Sequence, residues 1–144
     1  MITKEIRQQN KIFRDIPTRI NDTDVLMFLQ NRKINWEYVK ALKESTNFKD
    51  ESLSSWLNVS TRTFRSYKKQ NQVIHDSIKE HILLLLSLTQ HGEAVFGSSG
   101  KFEEWLNKEN FFFNGNAPVS YLNKITGIRF VDDRLTALEF GDNI

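Results

Sequence analysis

The chain of 144 residues contains no cysteine. Disulfides and thiolate zinc sites are thereby excluded, and a reducing cytosol is the natural setting. Long apolar runs are missing too. The longest, residues 82–86, falls far below the roughly 18 residues a membrane span requires. The N-terminus is charged and polar, with no signal-like apolar stretch, so the expected chain is cytoplasmic, with no membrane partner. Net charge is small, +2. Histidine is scarce: His75, His81 and His91 have neither HExxH spacing nor a thiolate to complete a metal set, and they read as solvated or core side chains.

What is present suffices for a packed core: 39% hydrophobic and 12% aromatic residues. The length fits one ordinary domain or two small ones. The charge is unevenly spread. Arg62, Arg65, Lys68 and Lys69 stand together with no acidic neighbour, whereas Asp132, Asp133, Glu139 and Asp142 face a single Arg134 near the C-terminus. The two regions therefore suit different partners.

Residues 1–23 show no clean period and are interrupted by Pro17, so a loose or partner-dependent arm is expected. Val25, Leu26, Phe28 and Leu29 fit either a short helix or a strand. Ile34, Tyr38, Ala41 and Leu42 follow the spacing of an amphipathic helix that ends near Thr46 and Asn47.

Residues 50–67 look like a helix-turn-helix. Two steeply crossed helices need a small residue where they touch, and Ser54 sits there. The sharp turn needs a left-handed backbone, for which Asn58 is suited. Leu53, Leu57, Val59, Phe64 and Tyr67 occupy the apolar positions, and Ser60 is a helix cap. If the second helix enters a major groove, Thr61, Arg62, Arg65 and Ser66 are the expected base readers and Lys68 and Lys69 meet phosphates, with Ser60 and Thr63 completing the expected DNA-binding set. The bland alternative is a helical hairpin with a solvated basic face. A single recognition helix reads few base pairs, so a homodimer is expected. Residues 82–88 and the aromatic run are both candidate dimer surfaces.

Residues 75–97 form the strongest core helix, apolar almost all round, and it is expected to pack on both neighbouring units. Beyond it, Phe102, Trp105 and Leu106 form a buried stripe. Phe111, Phe112 and Phe113 cannot all face inward from one helix, so the segment is either extended and packed on both sides or exposes a ring to a partner. Pro118 starts a helix carrying Tyr121, Leu122 and Ile125, Gly127 ends it, and Gly141 caps the last helix. No catalytic constellation stands out. Gly97-Ser98-Ser99-Gly100-Lys101 lacks the first glycine of a phosphate loop, and Phe102 replaces its metal-binding hydroxyl. Glu103, Glu104 and Glu109 read as helix-start and surface charges. The fold expected is all-α, with an arm at 1–23, a helix-turn-helix domain at 24–94 and a small helical unit at 95–144 packed on it.

The order Val95-Phe96-Gly97, Trp105-Leu106-Asn107, Asn110, Gly115-Asn116-Ala117-Pro118, Leu122, Gly127, Val131-Asp132-Asp133-Arg134-Leu135 and Glu139-Phe140-Gly141 resembles the toxin-binding domain of the Xre/MbcA/ParS antitoxins. The resemblance implies a non-catalytic antitoxin without cofactor, in a type II toxin-antitoxin system. Its Xre-type helix-turn-helix represses its own operon by binding operator DNA, and its C-terminal domain covers the active site of a RES-domain toxin that consumes NAD. On that reading the contacts come from the tail, Glu139, Phe140, Gly141, Asp142, Asn143 and Ile144, or from steric cover by Tyr121, Arg129 and Arg134. The aromatic run departs from the family's usual stretch. The competing reading is a stand-alone transcriptional regulator whose C-terminal unit dimerises or senses a ligand.

Overall fold

Short polar side chains start the helices. Asn21, Asn35, Ser60 and Ser98 each accept a hydrogen bond from a backbone N–H in the first turn that follows, which satisfies a donor the helix itself leaves unpaired. In the computed structural model, residues 3–70 and 72–142 are described, residues 5–10 by their backbone alone. The α-helices are α1 (Lys4–Asp15), α2 (Asp22–Asn31), α3 (Trp36–Ser45), α4 (Asp50–Trp56), α5 (Thr61–Ser66), α6 (Asp76–Phe96), α7 (Ser99–Leu106) and α8 (Ile125–Glu139). Two 3-10 turns, η1 (Phe111–Phe113) and η2 (Pro118–Tyr121), lie between α7 and α8. Among the described residues there is no strand, and the fold is all-α.

Helix α6 is the axis. Every residue from His81 to Thr89 is buried, with α2 and α3 on one side and α7 and α8 on the other. The helix-turn-helix pair packs chiefly on itself, and Trp56 of α4 reaches α6 across a small apolar cavity shared with Leu85 and Leu88. Because the chain itself covers residues 82–88, that stretch is no dimer surface.

Two local expectations are corrected, and one left open between helix and strand is decided. The N-terminal stretch is not a loose arm: α1 stops before Pro17, Ile12 within it and Ile16 just after it are buried, and the helix is tied to α6 by the Gln90 side-chain amide, which donates to the Phe13 carbonyl at 2.8 Å. The ambiguous group near Val25 is helical. Gly127 does not end a helix but sits in the first turn of α8, where a Cβ would overlap the Tyr121 carbonyl. The glycine marks a close approach of two backbones and not a stop.

The end of α8 follows expectation. Gly141 has φ +90°, its N–H bonds to the Leu138 carbonyl at 3.0 Å, and the Asp142 N–H bonds to the Ala137 carbonyl at 3.0 Å. That left-handed pattern closes the last turn. Gly97 ends α6 in the same backbone region, φ +86°, and Ser98 caps α7, so the glycine-serine segment that faintly looks like a phosphate loop is two adjoining helix caps.

Candidate functional site

The turn between α4 and α5 is built from the residues its geometry demands. Ser54 is buried at the crossing, its Oγ 3.3 Å from Thr61 Oγ1, and its carbonyl accepts from the Val59 N–H at 3.1 Å. Asn58 has φ +59°, a conformation costly for residues other than Gly, Asn and Asp. Leu53, Leu57, Phe64 and Tyr67 are buried and Val59 is half-buried. The Tyr67 hydroxyl is held above its ordinary pKa by that burial.

The eight basic and hydroxyl residues of this region are not equivalent. Ser60 Oγ accepts from the Thr63 N–H and donates to Thr63 Oγ1, both at 3.0 Å, and Ser66 Oγ donates to the Thr63 carbonyl at 2.6 Å. These hydroxyls are engaged within α5, and Thr61 is turned to Ser54. Arg65 folds back on α4, with Nε 3.0 Å from Asp50 Oδ2 and Nη2 3.3 Å from Glu51 Oε1. Its hydrogen bond, aided by Lys43 Nζ at 3.1 Å, holds the Asp50 carboxyl below its ordinary pKa. Arg62, Lys68 and Lys69 are exposed and form no ion pair among the described residues.

A second surface lies at the other end. Asn110 accepts from the Phe112 N–H at 3.0 Å, and Asn114 and Gly115 both take positive φ, +57° and +81°. The resulting knuckle turns Phe113 fully inward, against Trp105, Tyr121 and Phe130 at centroid distances of 5.9, 5.5 and 4.9 Å. Its two neighbours are turned outward. Phe111 is 87% exposed and stands edge-on to the exposed Phe112. The guanidinium of Arg134 lies 3.4 Å from the Phe112 ring centroid, a cation–π contact, and its Nη1 is 2.8 Å from Asp142 Oδ2. Phe130 is exposed beside the Tyr121 ring, and Phe140 is 76% exposed at the end of α8.

The contact residues expected from the sequence thus divide. Tyr121 donates its hydroxyl proton to the Phe113 carbonyl at 2.9 Å and braces the knuckle. Arg129 pairs with Asp22 at 2.7 Å and fastens α8 to the start of α2. Glu139 lies 3.5 Å from His91 Nε2. Phe140, Gly141 and Asp142 are exposed just past the end of α8, Arg134 lies in the middle of that helix with its side chain largely covered between Phe112 and Asp142, and Asn143 and Ile144 lie outside the described residues. Phe130 was not among the expected contacts, and the outward rings of Phe111 and Phe112 were anticipated only as a run that could expose a ring to a partner. The aromatic run between Asn110 and the Asn114-Gly115 turn was their sequence signal.

Behind this surface, α6 and α8 are joined through His91, whose Nδ1 is 2.7 Å from Asp132 Oδ1. Asp132 first, with Glu139 beyond it, raises the His91 pKa above its ordinary value. His81 is in the opposite situation: burial lowers its pKa, and Nε2–H donates to the Leu122 carbonyl at 2.8 Å.

Residues 91–141 match the family model described as the antitoxin Xre/MbcA/ParS C-terminal toxin-binding domain. The chain is also similar to the antitoxin Xre of Pseudomonas putida strain KT2440, 29% identical over 80 residues, which make up 56% of this chain and 50% of that protein. It therefore spans about half the length of the curated relative it matches. The matched segment, about a third of the chain, runs from His91 to Gly141 and contains the aromatic knuckle, the Gly127 contact and all of α8, and in it the chain is similar to the toxin-binding domain of the Xre/MbcA/ParS antitoxins.

Proposed function

We propose that this chain is a non-catalytic antitoxin that neutralises a RES-type, NAD-consuming toxin by covering its active site, and that represses its own operon through α4 and α5. The observation that carries the toxin half of the reading is the exposed aromatic face of residues 91–141. Phe111, Phe112, Phe130 and Phe140 lie in the matched segment and leave large apolar surface in water, while Arg134 is stacked against Phe112. Aromatic rings and an arginine are the composition of interface hot spots. The NAD chemistry belongs to the toxin, and the antitoxin needs no cofactor.

Two ways of blocking are compatible with this placement. Either the acidic tail from Glu139 to Ile144 enters an anion-accepting cleft on the toxin, or the ring face covers that cleft. Co-expression with the product of the adjacent gene, scored by growth and co-purification, tests the function. Phe111→Ala with Phe112→Ala removes rings that support little of the core, so loss of both rescue and complex, with an unchanged melting temperature, is the expected result. At about 2 kcal/mol or more per hot-spot ring, affinity falls by roughly thirtyfold or more. Full rescue by this variant would show that the toxin docks elsewhere, and full rescue after removal of residues 142–144 would eliminate the tail.

The repressor half rests on the turn geometry at Ser54, Asn58 and Ser60 and on the exposed Arg62, Lys68 and Lys69. A homodimer on paired half-sites completes this reading. The stand-alone regulator is the alternative if the adjacent gene encodes no toxic product.

A further inference from the structure

Lys33 and Lys79 are distant in sequence from the helix-turn-helix, yet they share a cleft with its basic end. The cleft, of about 470 Å³, is lined by Lys33, Trp36, Lys68, Lys69, Gln72 and Lys79 among others. Four ammonium groups from three parts of the chain thus line one concavity: the connection after α2, the segment after α5, and the first turn of α6. The acidic groups near it are few. Glu37 is in the lining, and Asp76, fully exposed, approaches Lys79 Nζ at 3.6 Å. An exposed pair of that kind is worth little and is readily exchanged for a stronger anion. Lys33, Lys68 and Lys69 form no ion pair among the described residues.

We infer that this cleft is a phosphate-backbone site for double-stranded DNA, extending the contact made by α5 beyond the helix-turn-helix, with Lys33 and Lys79 as its added positioning residues. The inference rests on the reading of α4 and α5 as a DNA-binding motif. Charge selects a polyanion, and continuity selects the duplex, since Lys68 and Lys69 follow directly on α5 and lie in the same cleft. Engagement of Arg65 by Asp50 and Glu51 gives the extension a purpose: while that exposed guanidinium is paired on α4, α5 offers phosphates fewer free charges than its sequence promises. Lysines from outside the motif restore them.

The test uses the full chain and a fluorescein-labelled 24-base-pair duplex of arbitrary sequence, titrated by anisotropy across a range of salt concentrations. Each lost phosphate contact lowers the slope of log affinity against log salt by about one. Lys33→Ala with Lys79→Ala is therefore expected to reduce the slope by about two with an unchanged melting temperature, and the corresponding Arg substitutions are expected to restore it. If the double alanine variant keeps the wild-type slope while Arg62→Ala with Lys68→Ala weakens binding, the cleft is not used and the motif reading stands. If the wild-type chain fails to bind the duplex at low salt, the motif reading and the inference both fall. Equal affinity for a duplex RNA of the same length, lost in the same variants, would overturn the assignment to DNA.

Discussion

At the scale of single residues, Gly127 shows how a sequence signal can carry the right residue and the wrong reason. In an exposed helix, Gly→Ala stabilises by up to about 1 kcal/mol through backbone entropy. Here the added methyl meets the Tyr121 carbonyl, so Gly127→Ala is expected to cost about 1–3 kcal/mol and to lower the thermal midpoint by several degrees. A raised midpoint would show that η2 and α8 have room between them. His91 gives a prediction with a direction in pH. Its folded pKa is raised by Asp132, so its stabilising contribution is complete below the unfolded value near 6.5 and fades as pH rises through the folded value. The difference in midpoint between wild type and His91→Gln should be largest at pH 5.5 and shrink by pH 9, measured by thermal denaturation; a difference independent of pH would show that the imidazolium contributes nothing through its charge. His81 acts in the reverse sense. Its folded pKa is lowered by burial, so its contribution is intact above about 6.5 and is lost as pH falls from there, but it is common to both proteins and cancels in the comparison.

At the scale of elements, Asn58 joins two functions in one side chain. Its left-handed backbone makes the turn between α4 and α5, and its Nδ2 donates to the Asn123 carbonyl at 2.8 Å, next to the start of α8. The two roles separate by substitution. Asn58→Gly keeps the turn and loses only the bond, costing about 0.5–1.5 kcal/mol, whereas Asn58→Ala adds the left-handed penalty of roughly 1–2 kcal/mol. Denaturant midpoints in the order wild type, Gly, Ala are expected, and equal midpoints for Gly and Ala would remove the backbone argument. This motif was legible in the sequence because its geometry demands particular residues at fixed spacing: a small one at the crossing, an Asn or Gly in the turn, a hydroxyl at the cap. The aromatic knuckle was not legible to the same degree. Phe111, Phe112 and Phe113 are chemically alike, and which ring turns inward is decided by Trp105, Tyr121 and Phe130, residues remote in sequence. The engagement of Arg65 with Asp50 and Glu51 was hidden as well, because those partners lie a full turn of chain earlier and are met only when α4 and α5 cross.

At the scale of the whole molecule, the expected boundary near residue 95 does not divide the core. Helix α6 is buried from His81 to Thr89 because both halves cover it. Polar bonds cross between them: the Glu103 carboxylate accepts from the Asn47 N–H and Nδ2 at 2.7 and 3.1 Å, His81 donates to Leu122, and Arg129 pairs with Asp22. Uncovering several leucines at about 1.5–3 kcal/mol each exceeds what a small domain can lose from a total of roughly 5–15 kcal/mol. Residues 1–94 and 95–144 produced separately are therefore expected to lack a cooperative thermal transition, and truncation cannot separate the two proposed activities without unfolding the protein. The tryptophans allow the intact chain to be tested directly. Trp36 and Trp56 lie in the first half of the chain and Trp105 in the second, so Trp105→Phe and the double variant Trp36→Phe with Trp56→Phe leave reporters in different halves. Coincident fluorescence and circular-dichroism midpoints in each variant are the expected outcome of one cooperative unit. Two separated transitions within either variant would instead make residues 91–141 an independent module, able to bind a toxin whatever the state of the helix-turn-helix.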